Sequence, residues 1–241
     1  MKNIIVICGP TGVGKTKLSI ELAKKIDGEI INADMVSLYK KLNIGSSKVT
    51  KEEMGGIKHH LIDILDVNDI YNVYNYQKYG RKVIDNILKK NKKVIIVGGT
   101  ALYIKALLYD YDFKSNNSNK LLYDALFIGL NTDRSKLYDL INIRVDNMIK
   151  NNLLDEVYYL YNNYKDSRII NTAIGYKEFI PYFNNTINLD EAIDNIKKNS
   201  RHYAKRQITF FKNKFDINWF NIDINNFDNT VNKVYEFINK D

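Results

Sequence analysis

Cysteine is nearly missing from this sequence: Cys8 is the sole example, so no disulfide can brace the chain. Three histidines alongside it leave too few ligands for a Cys/His zinc site. Proline occurs only at positions 10 and 181, and no internal repeat is visible. Long apolar runs are also absent. The one that follows Met1-Lys2 stops after a few residues, too early for a signal peptide, and nothing later approaches the length needed to cross a membrane. These absences point to a soluble, cytoplasmic protein with no membrane partner. Arginine is scarce as well, limited to Arg81, Arg134, Arg144, Arg168, Arg201 and Arg206, and the last two lie five residues apart.

What remains is ordinary globular composition, 45% apolar and 27% charged over 241 residues, enough to bury a full core as one α/β domain spanning 1–241. The net charge of +8 suits an anionic partner such as nucleic acid. Abundant lysine, asparagine, isoleucine and tyrosine also fit AT-rich codon usage, so position tells more than the total.

The most informative short stretch is GPTGVGKT, residues Gly9, Pro10, Thr11, Gly12, Val13, Gly14, Lys15 and Thr16. Its G-x-x-x-x-G-K-T spacing lets backbone N–H groups close around phosphate oxygens, while Lys15 adds charge and the Thr16 hydroxyl reaches a magnesium ion. The context is the one the motif requires. Asn3-Ile4-Ile5-Val6-Ile7-Cys8 ahead of it reads as a strand, and Leu18, Leu22 and Ile26 behind it recur at helical spacing.

Further strands are predicted at 29–34, ending in Asp34, at 93–97, ending in Gly98-Gly99-Thr100, and at 125–130 and 217–222. Helical stretches separate them, and the second half is mainly helical. Strands alternating with helices imply a central parallel sheet flanked by helices, with ligands at the carboxyl ends of the strands. The phosphate loop, Asp34 and Thr100 are therefore expected in one crevice. Asp34 can serve there as a base, support the metal, or merely cap a turn. A kinase or ATPase would pair the loop with a strand ending in aspartate, and the strand at 94–97 ends in Gly-Gly-Thr instead. His59-His60 point in different directions on either a helix or a strand, a poor metal pair, and are read as structural or loop-positioning residues. Residues 110–120 form a polar, low-complexity connection.

The second informative stretch is residues 197–211. At 100° per residue, Ala204, Ile208, Phe211 and Phe215 share a stripe, while Lys198, Arg201, Lys205 and Lys212 lie in a neighbouring arc. This reads as a packed face beside a cationic rail, suited either to RNA phosphates or simply to solvent.

Taken in order, GPTGVGKT, NADMVSLYKKLNIGSSK, HHLIDI, VGGTALYIKALL, RVDNMIKNNLLDEV, AIGYKE and YAKRQITFF resemble the tRNA dimethylallyltransferases, also called tRNA isopentenyltransferases. These blocks cover nearly the whole chain. The resemblance implies a P-loop fold whose loop, Gly9 to Thr16, holds the diphosphate of dimethylallyl diphosphate as a leaving group, with Mg²⁺ at Thr16. It implies transfer of the dimethylallyl group to N6 of the adenosine 3′ of the anticodon, with Asp34, Thr100 and Lys15 catalytic. It places Asp34, Met35, Val36, Ser37, Thr100, Arg201, Lys205, Arg206 and Gln207 against the tRNA anticodon stem-loop, with the protein acting as a monomer.

Two departures stand out. The family's D-S-x-Q is Asp34-Met35-Val36-Ser37 here, and the stretch at 110–120 stands where most bacterial members carry a helical insertion that grips the anticodon stem-loop. A reduced clamp keeps open an enzyme that prenylates free AMP, ADP or ATP and a non-catalytic RNA-binding relative, while the phosphate loop, the fold and magnesium would equally serve a small-molecule P-loop kinase.

Overall fold

The computed structural model describes residues 1–111, 113 and 120–240. Of the polar connection read at 110–120, residues 112 and 114–119 lie outside the described residues.

β1 (Ile4–Cys8) is buried along its whole length, and its alternating side chains enter two different cores. Ile4, Val6 and Cys8 face one side of the sheet; Ile5 and Ile7 face the other. A strand covered on both faces reads as a continuous apolar run, which is how it was legible in the sequence. α1 (Lys15–Ile26) follows, then β2 (Gly28–Asn32), a short 3₁₀ turn at Val36–Leu38, α2 (Lys51–Met54) and β3 (His59–His60). The chain continues through α3 (Val73–Leu88), β4 (Lys93–Val97), α4 (Ala101–Leu108) and β5 (Ala125–Asn131). The second half adds α5 (Arg134–Lys150), α6 (Leu153–Asn163), α7 (Arg168–Thr172), α8 (Ile180–Phe183), α9 (Leu189–Lys214), β6 (Asn218–Asn221) and α10 (Phe227–Lys240).

The six strands form one parallel sheet in the order β3-β2-β4-β1-β5-β6. This is the architecture expected from the alternating pattern. α1 and α10 cover one face; α3, α4, α5 and α9 share the larger core on the other. Three readings shift. Asp34 lies two residues past the end of β2 rather than closing it. His59-His60, read as structural or loop-positioning residues and assigned to no strand, pair with Ile30 and Ile31 as a short edge strand. The packed stripe of α9 includes polar Ser200 and Gln207 beside Ala204 and Phe211, because the helix packs onto the strand-end loops as well as onto apolar neighbours.

α9 is set off by a reciprocal cap. The Asn188 side chain accepts from Glu191 N–H, and the Glu191 carboxylate accepts from Asn188 N–H, both at 2.9 Å. At 26 residues it runs about 39 Å across the mouth of the sheet. The two ends of the 110–120 connection are pinned together by Asp110 N–H to Lys120 O at 2.9 Å and Leu122 N–H to Leu108 O at 2.7 Å. Among the described residues, no helix is long and apolar enough to cross a membrane.

Candidate active site

The phosphate loop leaves β1 at Gly9, whose φ of +131° and contact with the Leu130 carbonyl exclude any side chain. α1 begins at Lys15, so its unpaired N–H groups and positive dipole end face the loop's concavity. Lys15 Nζ folds back to donate to Pro10 O at 2.6 Å. Burial lowers the Lys15 pKa to about 8, an effect that Asp34 opposes and Arg144 reinforces. Thr16 is exposed. Burial pushes the Cys8 thiol up to about 12, which leaves it unreactive just before the loop.

Asp34 is held by its own neighbourhood. Its N–H donates to Asn32 Oδ1 at 3.0 Å, and Asn32 Nδ2 donates to the Asp34 and Leu61 carbonyls, both at 2.9 Å. One carboxylate oxygen, Oδ1, accepts the Val36 N–H at 3.0 Å and so caps the short turn. Among the described residues nothing bonds Oδ2. Thr100 is fixed to the same frame, donating its N–H to Ala33 O at 3.1 Å and accepting the Met35 N–H on Oγ1 at 3.2 Å. This approach needs Gly98, because a Cβ there would run into the Ala33 backbone. The Tyr203 phenol borders the same crevice beside the Thr100 and Gln207 side chains. Burial, with the Asp34 charge adding, pushes that phenol up to about 12, so it stays neutral.

Lys15, Asp34 and Thr100 thus meet in one crevice, which has two lobes sharing Thr11, Lys15, Asp34, Ser46, Gly99 and Arg144. One lobe, about 300 Å³, extends past Thr100, Tyr203 and Arg206 to the turn at 173–175. Met35 and Val36 line it. The other, about 230 Å³, extends past Thr16, Ser37, Lys48 and His59.

Arg144 opens the RVDNMIKNNLLDEV block, to whose residues the sequence reading gave no site role. It lies three residues after Ile141 and four before Met148, on the buried face of α5, and donates to Ser46 O at 3.2 Å. An arginine on an apolar stripe was the available signal. Burial pulls its pKa below the ordinary value, with Asp34 pulling the other way. Glu156 of α6 was also missed: its carboxylate accepts the N–H groups of Asn43, Ile44 and Gly45 at 2.9–3.2 Å and the Tyr176 hydroxyl at 2.8 Å. It holds the loop that carries Ser46 into the crevice.

The cationic rail divides. Arg201 donates to Asn142 Oδ1 at 2.7 Å and stacks over Tyr138, and Lys197 pairs with Asp146 at 2.6 Å, so both are used in packing α9 on α5. Lys205 and Arg206 are exposed, and Arg206 lines both the crevice and an outer groove of about 490 Å³ with Lys205, Phe210 and Lys214. Gln207 is buried and points inward. It accepts the Thr11 N–H at 3.0 Å and donates to Gly99 O at 3.0 Å, clamping the phosphate loop to the turn after β4.

Among the described residues no group of three or more His, Cys, Asp or Glu side chains can hold a metal alone. The oxygen donors around Thr16 and Asp34 suit magnesium, which keeps several waters and takes its remaining ligands from a substrate's phosphates.

A family model described as IPP transferase matches residues 37–121 and 111–214. A tRNA dimethylallyltransferase of Bacillus anthracis is 39% identical over 287 aligned residues, covering 92% of this chain and 91% of the relative. That alignment is longer than the chain's 241 residues, so the relative has segments with no counterpart here. A crystal structure of a tRNA delta(2)-isopentenylpyrophosphate transferase from Staphylococcus epidermidis superposes with a TM-score of 0.89 at 35% identity, covering 99% of each chain. A eukaryotic dimethylallyltransferase acting on tRNA superposes with a TM-score of 0.80 at 25% identity, over 91% of this chain and 74% of that one.

Proposed function

The chain belongs to the IPP transferase family, and from that premise we propose that it acts as a tRNA dimethylallyltransferase. It transfers a dimethylallyl group from dimethylallyl diphosphate to N6 of the adenosine 3′ of the anticodon and releases diphosphate. The observation that carries this reading is the meeting of a phosphate loop with Asp34 and Thr100 where two lobes join.

The diphosphate sits in the Gly9–Thr16 loop, held by backbone N–H groups, Lys15 and Arg144. As the allylic C–O bond breaks, negative charge grows on this leaving group, and the cations already aimed at it stabilise the transition state. The target base leaves the anticodon-loop stack and enters the lobe beside Thr100 and Tyr203, at a cost of a few kcal/mol offset by stacking and backbone contacts. N6 forms the new bond to the allylic carbon, and its proton passes to the free Oδ2 of Asp34. Oδ1, tied to Val36 N–H, fixes the direction in which that oxygen points. Thr100 positions the reacting groups. Thr16 would hold Mg²⁺, which would supply charge neutralisation for the departing diphosphate. ATP is not consumed.

The tRNA rests on Lys205 and Arg206 outside the crevice, and the protein works in the cytoplasm as a monomer. The chain is one prenyltransferase domain in which the connection at 110–120 replaces a helical insertion. The pinned ends of that connection and the division of the family match at 111–121 support this. The test is incubation with unmodified tRNA and dimethylallyl diphosphate, followed by digestion and a search by mass for N6-dimethylallyl adenosine, with AMP as a parallel acceptor. Product on AMP but not on tRNA, or coupled ATP hydrolysis, would overturn the reading.

A further inference from the structure

Lys15, Lys48 and Arg144 all line the smaller lobe, but they are not equally free to meet an anion there. Lys48 donates to Tyr39 O at 2.7 Å, Asn43 Oδ1 at 3.0 Å and Asp63 Oδ1 at 2.6 Å, which occupies its protons inside the protein. Lys15 gives a proton to Pro10 O. Arg144 differs, because among the described residues its guanidinium meets one acceptor, Ser46 O, and the other N–H groups of the fork have none. It is half-buried and lines both lobes, close enough to Lys15 and Asp34 for their charges to act on one another.

A planar fork serves an anion only when it points the right way. One carbonyl therefore sets the aim of Arg144, and that carbonyl has its own support. The Glu156 carboxylate accepts the N–H groups of Asn43 at 3.0 Å, of Ile44 at 3.0 and 2.9 Å, one to each oxygen, and of Gly45 at 3.2 Å. These are the three residues directly before Ser46. Tyr176, fully buried, donates its hydroxyl to Glu156 Oε1 at 2.8 Å, and its ring lies so close to Gly45 that a Cβ there would come within 2.5 Å of it. Burial and the Glu156 charge raise the Tyr176 pKa, so the phenol stays a donor. The order of contact runs from Tyr176 to Glu156, through the backbone of 43–45 to Ser46 O, and so to Arg144.

We infer that Glu156 is a positioning residue which, with Tyr176, aims the Arg144 guanidinium at the diphosphate by fixing the loop at 43–46. This rests on the reading of the crevice given above.

The test is a double-variant cycle on the full chain, with inorganic pyrophosphate as the probe and affinity measured by calorimetry in Mg²⁺. Arg144→Ala is expected to weaken binding about ten- to a hundredfold, the worth of charge-assisted hydrogen bonds. Glu156→Gln turns one accepting oxygen into a donor that faces N–H groups, and is expected to weaken binding about three- to tenfold. Tyr176→Phe leaves the backbone contacts in place and is expected to cost about two- to threefold. In an Arg144→Ala background neither change is expected to weaken binding further, because the group through which they act is gone. A merely structural role would not vanish in this way. Thermal melting checks that each variant is folded, and if Glu156→Gln is not, Tyr176→Phe decides by the same cycle. Losses that repeat in full in the Arg144→Ala background, or no loss in the single variants, overturn the inference while leaving the crevice reading intact. A wild type that does not bind pyrophosphate, or an Arg144→Ala that binds it as well as wild type, overturns that reading and the inference with it.

Discussion

The crevice and the outer face of α9 handle polar groups in opposite ways. In the crevice nearly every one has assigned partners: Asn32 brackets Asp34, Ala33 and Met35 hold Thr100, and Gln207 ties Thr11 to Gly99. On the outer face Lys205 and Arg206 extend into solvent. Proton transfer to a single oxygen needs fixed geometry, because efficiency falls when the acceptor moves by an ångström. Attraction to a phosphate backbone needs charge within a Debye length, about 10 Å at 0.1 M salt, and tolerates loose side chains. The difference between these regions is a division between a site that must be exact in position and one that must only be positive.

The sharpest way to break this contrast is Asp34→Asn. It preserves shape and the capping oxygen, so turnover should fall roughly 10²–10⁴-fold while tRNA affinity changes little. Single-turnover rates alongside filter binding would show it, and a variant with near-normal turnover would return Asp34 to a turn cap.

Gln207→Ala should come next, since it strands the Thr11 N–H and the Gly99 carbonyl inside the protein. A loss of about 1–3 kcal/mol is expected in chemical denaturation. Diphosphate binding should weaken with it, because the loop loses its clamp. An unchanged stability would mean that the loop stands alone.

Lys15 offers a pH test with opposed signs. Its folded pKa, near 8, lies below the ordinary lysine value of 10.5, so the unfolded chain binds more protons between those values. Its contribution to stability therefore rises with pH through that window. Diphosphate binding needs the charged form, and should weaken by up to about tenfold per pH unit above 8, less where the bound anion holds the proton. Calorimetry with pyrophosphate at pH 7 and 9, beside denaturation at the same values, would separate the two trends.

The smallest effects belong to the outer face and sharpen the comparison within α9 itself. Lys205→Ala should weaken tRNA binding a few-fold for every tRNA alike and reduce the log–log salt slope by about one. Arg201→Ala should leave that slope unchanged and lower stability instead, because Arg201 is committed to Asn142 and Tyr138. Equal salt effects would merge the two residues into one rail.

How far the sequence could be read follows the range of each interaction. The phosphate loop was legible because eight adjacent residues specify it, and Asp34 and Thr100 followed from the rule that parallel strands gather ligands at their carboxyl ends. Periodicity gave the strands buried on both faces. It could not give β3, whose two residues are too few for any pattern. Gln207 was set against the anticodon stem-loop by the resemblance of its block, which relates it to its own neighbours and not to the rest of the fold. Its partners are Thr11 and Gly99, brought in by the packing of α9. The same limit hid Glu156, more than a hundred positions from the backbone it holds, and Arg144, whose neighbours Lys15 and Asp34 come from other strands' ends. It also hid the fact that Arg201 and Lys197 were already taken by α5.

The bond from Thr11 to Gln207 joins the beginning of the chain to a point 196 residues later. On a ribosome adding about 5–20 residues per second, the loop emerges roughly 10–40 s before its clamp can exist. During that interval a nascent chain displays a glycine-rich anion trap with no lid, in a cell full of nucleoside triphosphates. The trap closes last, with the helix that also carries the exposed Lys205 and Arg206, so the clamp and those charges become available together.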